Sequence, residues 1–128
     1  MDTRTKILDW LQAEAVLRSE GDVSPAKVVC GYFDPLVAAH VRRLEEIAAG
    51  GGRLTVVLAT PPEPLLPERA RAELVAALRA VARVVIPPAG QVERVLRWFP
   101  NAQVFREERA DLERTAALMN HVRQRHSV

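Results

Sequence analysis

Gly31, Asp34 and His40 stand within ten consecutive positions, directly after the apolar run Val28-Val29-Cys30. This order reads as a short buried strand, a glycine turn and the start of a helix. A strand that turns on glycine into a helix N-terminus offers free backbone N–H groups and the positive end of the helix dipole, which together suit a phosphate. Gly31 has two compatible roles there, a tight turn and a close approach to phosphate. Asp34, followed by Pro35, is either a ligand group or a helix cap, because Asp at the cap with Pro at the first helical position is a favoured start. His40 is either a phosphate contact or a structural imidazole, and Phe33 belongs to the core.

The elements that must position these residues follow from periodicity. Residues 3–19 predict an amphipathic helix with Ile7, Leu8, Leu11, Ala15 and Val16 on its apolar stripe, capped by Asp2 or Thr3. Residues 19–25 read as a linker by their Gly, Asp, Ser and Pro content. Thereafter strands at 28–31, 54–60, 83–86 and 102–105 alternate with helices at 36–49, 67–80 (Leu74, Val75 and Leu78 inward), 91–99 and 111–125. Strict alternation predicts an α/β fold, a Rossmann-like three-layer sandwich with a parallel sheet of order 3-2-1-4 and an added N-terminal helix. The expected division is 1–26 for the N-terminal helix and linker and 27–128 for the α/β domain. Ligands of such sheets bind at the carboxyl ends of the strands, which again selects Gly31–Asp34.

Composition narrows the function. The chain has 128 residues and a net charge of +2, and only 5% of its residues are aromatic. A small net charge and few stacking residues predict no nucleic-acid partner. No apolar run is long enough for a membrane span and no signal pattern opens the chain, so a cytoplasmic address is expected. A single cysteine, Cys30, excludes an internal disulfide and a cysteine-cluster metal site. It is read as a small core residue. His121 and His126 lie five apart, a poor spacing for a shared metal on a helix, and with Arg123 and Arg125 they complement the dipole of the last helix. Trp10 and Trp98 are expected to pack, and Leu112, Thr115, Met119 and Val122 to form a core stripe.

The run Gly31-Tyr32-Phe33-Asp34 with His40 resembles the G-x-F-D-x-x-H-x-G-H signature of the cytidylyltransferase-like nucleotidyltransferases. Residues 67–86 are similar to the arginine-containing helix and valine strand of the adenylyltransferases that activate heptose phosphates. Residues 95–104 resemble their next helix, turn and strand, and Arg114–Met119 sits where the family carries its S-T-T-x-L-I motif. The likeness covers about residues 27–126, nearest to the heptose-phosphate adenylyltransferase and glycerol-phosphate cytidylyltransferase types.

That resemblance implies a phosphate monoester attacking the α-phosphorus of CTP or ATP with Mg²⁺, pyrophosphate leaving. It implies nucleotide-binding roles for Gly31, Tyr32, Phe33, Asp34, His40 and Thr115, with His40 also the catalytic candidate. Against the pattern, Val37 replaces the first histidine, Ala39 the glycine, and Arg114 and Ala116 two hydroxyls. The loop at 61–66 has no lysine, since the chain's two lysines are Lys6 and Lys27. Glu107, Glu108, Asp111 and Glu113 place negative charge where a triphosphate needs positive potential. Arg42, Arg43, Arg69, Arg71 and Arg114 are the available substitutes. Losing one preorganised donor costs roughly 10²–10³ in rate, so the expected function is a degenerate domain that binds a nucleotide or phosphate weakly. Two alternatives stand beside it: an active transferase with a rearranged site, and a protein-interaction module on the same fold. A homodimer is among the assemblies left open.

Overall fold

Valine, leucine and isoleucine recur in short β-branched segments. In the computed structural model, which describes residues 2–20 and 27–126, these segments pair into one parallel sheet. The strands are β1 (Ile7–Asp9), β2 (Lys27–Gly31), β3 (Leu54–Leu58), β4 (Val81–Ile86) and β5 (Gln103–Arg106). Between and after them lie α1 (Trp10–Glu20), α2 (Ala38–Ala48), α3 (Glu68–Ala76), α4 (Val92–Leu96) and α5 (Glu108–His126). The Rossmann-like α/β class is as expected.

The strand order is β1-β4-β3-β2-β5, not the expected 3-2-1-4, because the N-terminal segment supplies a further strand. Ile7, Leu8 and Asp9 pair in parallel with Val84, Val85 and Ile86. The helix expected over 3–19 is thus replaced by a 3-10 turn at Thr3–Lys6, then β1, then a shorter α1. Periodicity could not separate these outcomes. The stripe containing Ile7 and Leu8 also suits a strand, and the unpaired edge of β4 offers a ladder and an apolar surface that local propensity does not see. Ile7 is buried, whereas Leu11, assigned to the same stripe, is 60% exposed. Of the expected linker, residues 19 and 20 close α1, and 21–25 lie outside the described residues.

Alternate side chains of the central strands enter two cores, which is why these strands read as unbroken apolar runs. Val29, Leu54, Val56, Leu58 and Val84 meet Leu44 and Ile47 of α2 and Ala72, Val75 and Ala76 of α3. Val28, Cys30, Val57 and Val85 meet Ala13 of α1, Val95 of α4 and Phe99, with Trp10 and Trp98 packed alongside. Three expected core positions are corrected: Leu74 is exposed, its inward place taken by Ala72 and Arg71, and Leu112 and Val122 of the last helix are exposed as well. In α5 only Asp111 is buried, held beneath the β2 turn, while Thr115 further along reaches the carbonyl of Asp34. Among the described residues no helix is long and apolar enough to cross a membrane.

The edge strand has a measurable consequence. Ile7→Ala should lower stability to urea by about 2–5 kcal/mol, the range for a buried aliphatic truncation. Leu11→Ala should change it by no more than about 0.5 kcal/mol. Equal losses would be incompatible with β1.

Candidate functional site

The winding of the sheet reverses between β2 and β5, and in an open parallel sheet the ligand crevice lies at the carboxyl ends flanking such a reversal. The turn after β2 and the start of α5 both enter that crevice. The Gly31 carbonyl accepts from the Ala59 N–H at 2.9 Å, and the Cys30 carbonyl from the Glu107 N–H at 2.8 Å. The turn is therefore tied to both neighbouring strands before any side chain is considered.

Beyond Gly31 the backbone N–H groups of Tyr32 and Phe33 point the same way and donate to Asp111 Oδ2 at 2.7 and 3.4 Å. Phe33 has φ of 47°, the left-handed region that a bulky residue seldom enters. Successive N–H groups in such a turn form an anion-binding nest. Asp111 is 1% exposed, and its Oδ1 accepts from Arg114 Nη1 at 2.8 Å. Gly31 is required here by close approach rather than by φ. A Cβ on it would run into Asp111 Oδ2 and lie 2.9 Å from the Phe33 ring.

His40 is wholly buried, its ring 5.4 Å from that of Phe33. Its Nδ1 accepts from the Val37 N–H at 3.0 Å, capping the start of α2 from the third helical position. Nε2 must then carry the proton. It sits 3.1 Å from Asp111 Oδ1, but without the alignment a hydrogen bond needs. The helix starts at Ala38, two residues later than expected, so Asp34 is not its cap.

Asp34 is a structural clasp instead. Its carboxylate accepts from the N–H groups of Leu65 and Leu66 at 2.7 and 2.8 Å, holding the β3–α3 loop against the turn. Its backbone carbonyl accepts from the Thr115 hydroxyl at 3.0 Å. Arg71, 1% exposed, donates to the carbonyls of Tyr32, Ala59 and Leu66 and so staples the turn, the end of β3 and the same loop.

Of the five arginines available as replacements, Arg42 is exposed and the other four are committed. Arg71 holds carbonyls. Arg114 pairs with Asp111, and Arg43 pairs with Glu107 at 2.8 Å while lying 5.9 Å from the Phe105 ring. Arg69 pairs with Glu73 on the exposed face of α3. Two cations against Glu107 and Asp111 leave no local surplus of positive charge. Beside the nest a cleft of about 350 Å³ is walled by Pro61, Pro62, Leu65, Leu112 and Met119, with Glu63 as its only further charge beside Asp34. A larger groove of about 600 Å³, near Arg53 and Arg79, opens at the amino ends of β3 and β4 and contains none of these residues. The carboxyl-end cleft is the functional candidate because Tyr32 and Asp34 of the turn and Thr115 of α5 line it.

The structure thus brings Gly31, Tyr32, Phe33, Asp34, His40 and Thr115 together. The two residues on which they converge, Asp111 and Arg71, were not assigned these roles from sequence. In the sequence Asp111 is one of several acidic residues near α5, and Arg71 one of several arginines. No local pattern marks a carboxylate that will meet a backbone 79 positions away.

Two measurements follow. Burial, and then the charge of Glu108, push the Cys30 thiol up to about 12. It should resist alkylation at neutral pH until the chain is unfolded, since the thiolate is the reactive form. Asp34→Ala should remove about 1–3 kcal/mol by leaving two N–H groups without their acceptor. The loss should appear as faster hydrogen exchange at the amides of Leu65 and Leu66.

No family model matches the chain. It is 35% identical over 74 residues to a FAD synthase of Methanosarcina mazei, an alignment covering 53% of this chain and 49% of that protein. The chain thus spans about half the length of the curated relative it matches. Joined to the Rossmann-like fold, this partial likeness to a FAD synthase supports a broad nucleotidyltransferase-like kinship for the chain.

Proposed function

We propose that this chain is a cytidylyltransferase-like nucleotidyltransferase domain that has lost turnover and retains at most weak affinity for a nucleotide or phosphate compound. The observation that carries the reading is the engagement of the turn's donors by Asp111. Nucleotidyl transfer asks the protein mainly to align reactants and to stabilise charge on the moving group. Here the N–H groups suited to that charge already hold a carboxylate, and the nearby guanidinium groups are neutralised. Val37 can donate no side-chain hydrogen bond, and Thr115 spends its hydroxyl on a backbone carbonyl.

A metal would find little here. Among the described residues no three His, Cys, Asp or Glu side chains are placed to hold an ion. Magnesium would have to arrive on the phosphates of a nucleotide, as it usually does where carboxylates are few. The cleft walls suit an uncharged or flat group better than a triphosphate.

Purified protein should release no pyrophosphate above background from CTP or ATP with a panel of sugar and alditol phosphates. Val37→His alone should not restore release, because positioning groups act as a unit. Robust release by the natural chain, abolished by His40→Ala, would place it among active transferases instead. A thermal-shift screen of the same nucleotides, with and without Mg²⁺, reads weak binding directly, since a ligand at millimolar concentration stabilises by mass action. Neither turnover nor binding would favour an interaction module on this scaffold.

A further inference from the structure

At the end of the sheet opposite the turn after β2, the groove of about 600 Å³ lies between α2 and the turn that leads from α3 into β4. Its lining is mainly apolar, with Val41 and Leu44 from α2 and Leu78 and Ala80 from the turn. Arg53 and Arg79 add two guanidinium groups, and Glu45 one carboxylate. We propose that this groove is a second binding site, for a small monocarboxylate with an apolar body, whose head Arg53 and Arg79 hold. The inference goes beyond the functional reading above and does not rest on it, since the groove shares no residue with the cleft at Tyr32, Asp34 and Thr115.

The groove is built into the fold rather than opened by a loose loop. Leu44 is 1% exposed and belongs to the core, and Leu78 packs against the same cluster. The Leu54 N–H donates to the Ala80 carbonyl at 2.7 Å, and the Lys6 ammonium donates to the Leu78 carbonyl at 3.1 Å. Two separate segments therefore hold the turn into β4 in place. A concave surface of this size, apolar with a few charged groups, has the make-up of a small-molecule site. Because it is preformed, binding avoids the ordering cost that weakens association.

Charge selects the head of the ligand. Arg43, Arg69, Arg106 and Arg114 each pair with a carboxylate, and Arg71 is spent on carbonyls. Arg53 and Arg79 are exposed, and neither has a hydrogen-bond or ion-pair partner among the described residues. Burial, and then the charge of Arg53, hold the Lys6 ammonium below the usual lysine range. Repulsion between those two cations marks a local positive potential. Two guanidinium groups beside one carboxylate suit a single negative charge, which a guanidinium can take through two parallel hydrogen bonds. A phosphate dianion would also meet the Glu45 carboxylate. The lining holds no aromatic ring on which a base could stack, so a nucleotide fits it poorly. The apolar part of the lining suits a hydrocarbon body.

The test uses the full chain and octanoate, followed by calorimetry and by amide NMR shifts. Octanoate should bind with a Kd on the order of 1 mM, and decanoate roughly fivefold tighter or more, as further methylenes leave water. Shifts should cluster at Val41, Leu78 and Ala80 and spare Tyr32 and Thr115. Replacing both arginines, Arg53→Gln with Arg79→Gln, should weaken octanoate by about tenfold. Glu45→Gln should tighten it by roughly twofold. Arg42→Gln, on the exposed face of α2 and outside the lining, should leave it unchanged. Circular dichroism checks that each variant folds. If the double variant does not, Val41→Glu carries the test alone: a carboxylate in the apolar lining should abolish binding.

No binding, binding indifferent to both arginines, or shifts at the Tyr32–Thr115 cleft would overturn the proposal. Equal binding of the uncharged octyl glucoside would do the same. So would tighter binding of octyl phosphate at about pH 8, where the phosphate is a dianion. Sedimentation with phosphatidylserine vesicles, if lost in the double variant, would give the groove to a membrane surface instead. A dimer dissociated by the same variant would give it to a second copy of the chain, and either result overturns the small-molecule site. Pyrophosphate release by the natural chain bears on the functional reading alone and leaves this site untouched.

Discussion

A negative charge with 1% exposure is the constraint around which this end of the molecule is arranged. Taking a carboxylate out of water costs several kcal/mol even after relaxation, and only close partners offset it. Asp111 finds a guanidinium one helical turn along α5 and two backbone N–H groups across the sheet. Those N–H groups are available because β2 ends on a glycine and the chain then enters a left-handed turn. α5 is anchored by its first turn for the same reason, and most of the helix beyond it faces solvent.

A second set of polar links keeps the turn in place. Arg71 reaches three carbonyls from different segments, and Asp34 takes two N–H groups of the β3–α3 loop. Each link satisfies groups that would otherwise be buried without partners, which is the condition on which a polar network can be kept inside a fold. The crevice is consequently preformed, with proline and leucine walls, and the charged side chains lining it, Asp34 and Glu63, are acidic. Such a site differs from the electropositive funnel a triphosphate requires, although it stands at the carboxyl ends of the strands, where open parallel sheets bind ligands. The same scaffold hosts unrelated functions for this reason: the sheet supplies the crevice, and the side chains at its mouth decide what enters.

The likeness to half of a FAD synthase and the Rossmann-like sheet agree at the level of broad family. They say less about chemistry than the individual residues do. His40 illustrates the difference. It holds the signature register, yet one nitrogen caps α2 and the other stands against Asp111. Its position follows the family pattern, while its partners belong to this chain.

The sequence by itself determined the α/β class, the parallel central strands and the strand-turn-helix unit at Gly31, because alternation of apolar runs with helical stripes and glycine punctuation is local information. The resemblance to the signature named Gly31 through Asp34, His40 and Thr115 together, but the meeting of Thr115 with Asp34, 81 positions apart, is tertiary. Only the tertiary structure decided that Ile7–Asp9 would be a strand rather than helix, since the open edge of β4 competes with local propensity. It likewise decided that Asp34 clasps a loop instead of capping a helix, and that Arg71 turns inward to carbonyls. Most of all it decided what meets the nest. Asp111 is 79 positions from Tyr32. Whether a carboxylate on α5 ends in solvent or on those N–H groups depends on how helix and sheet dock, a geometry no spacing rule in one dimension contains.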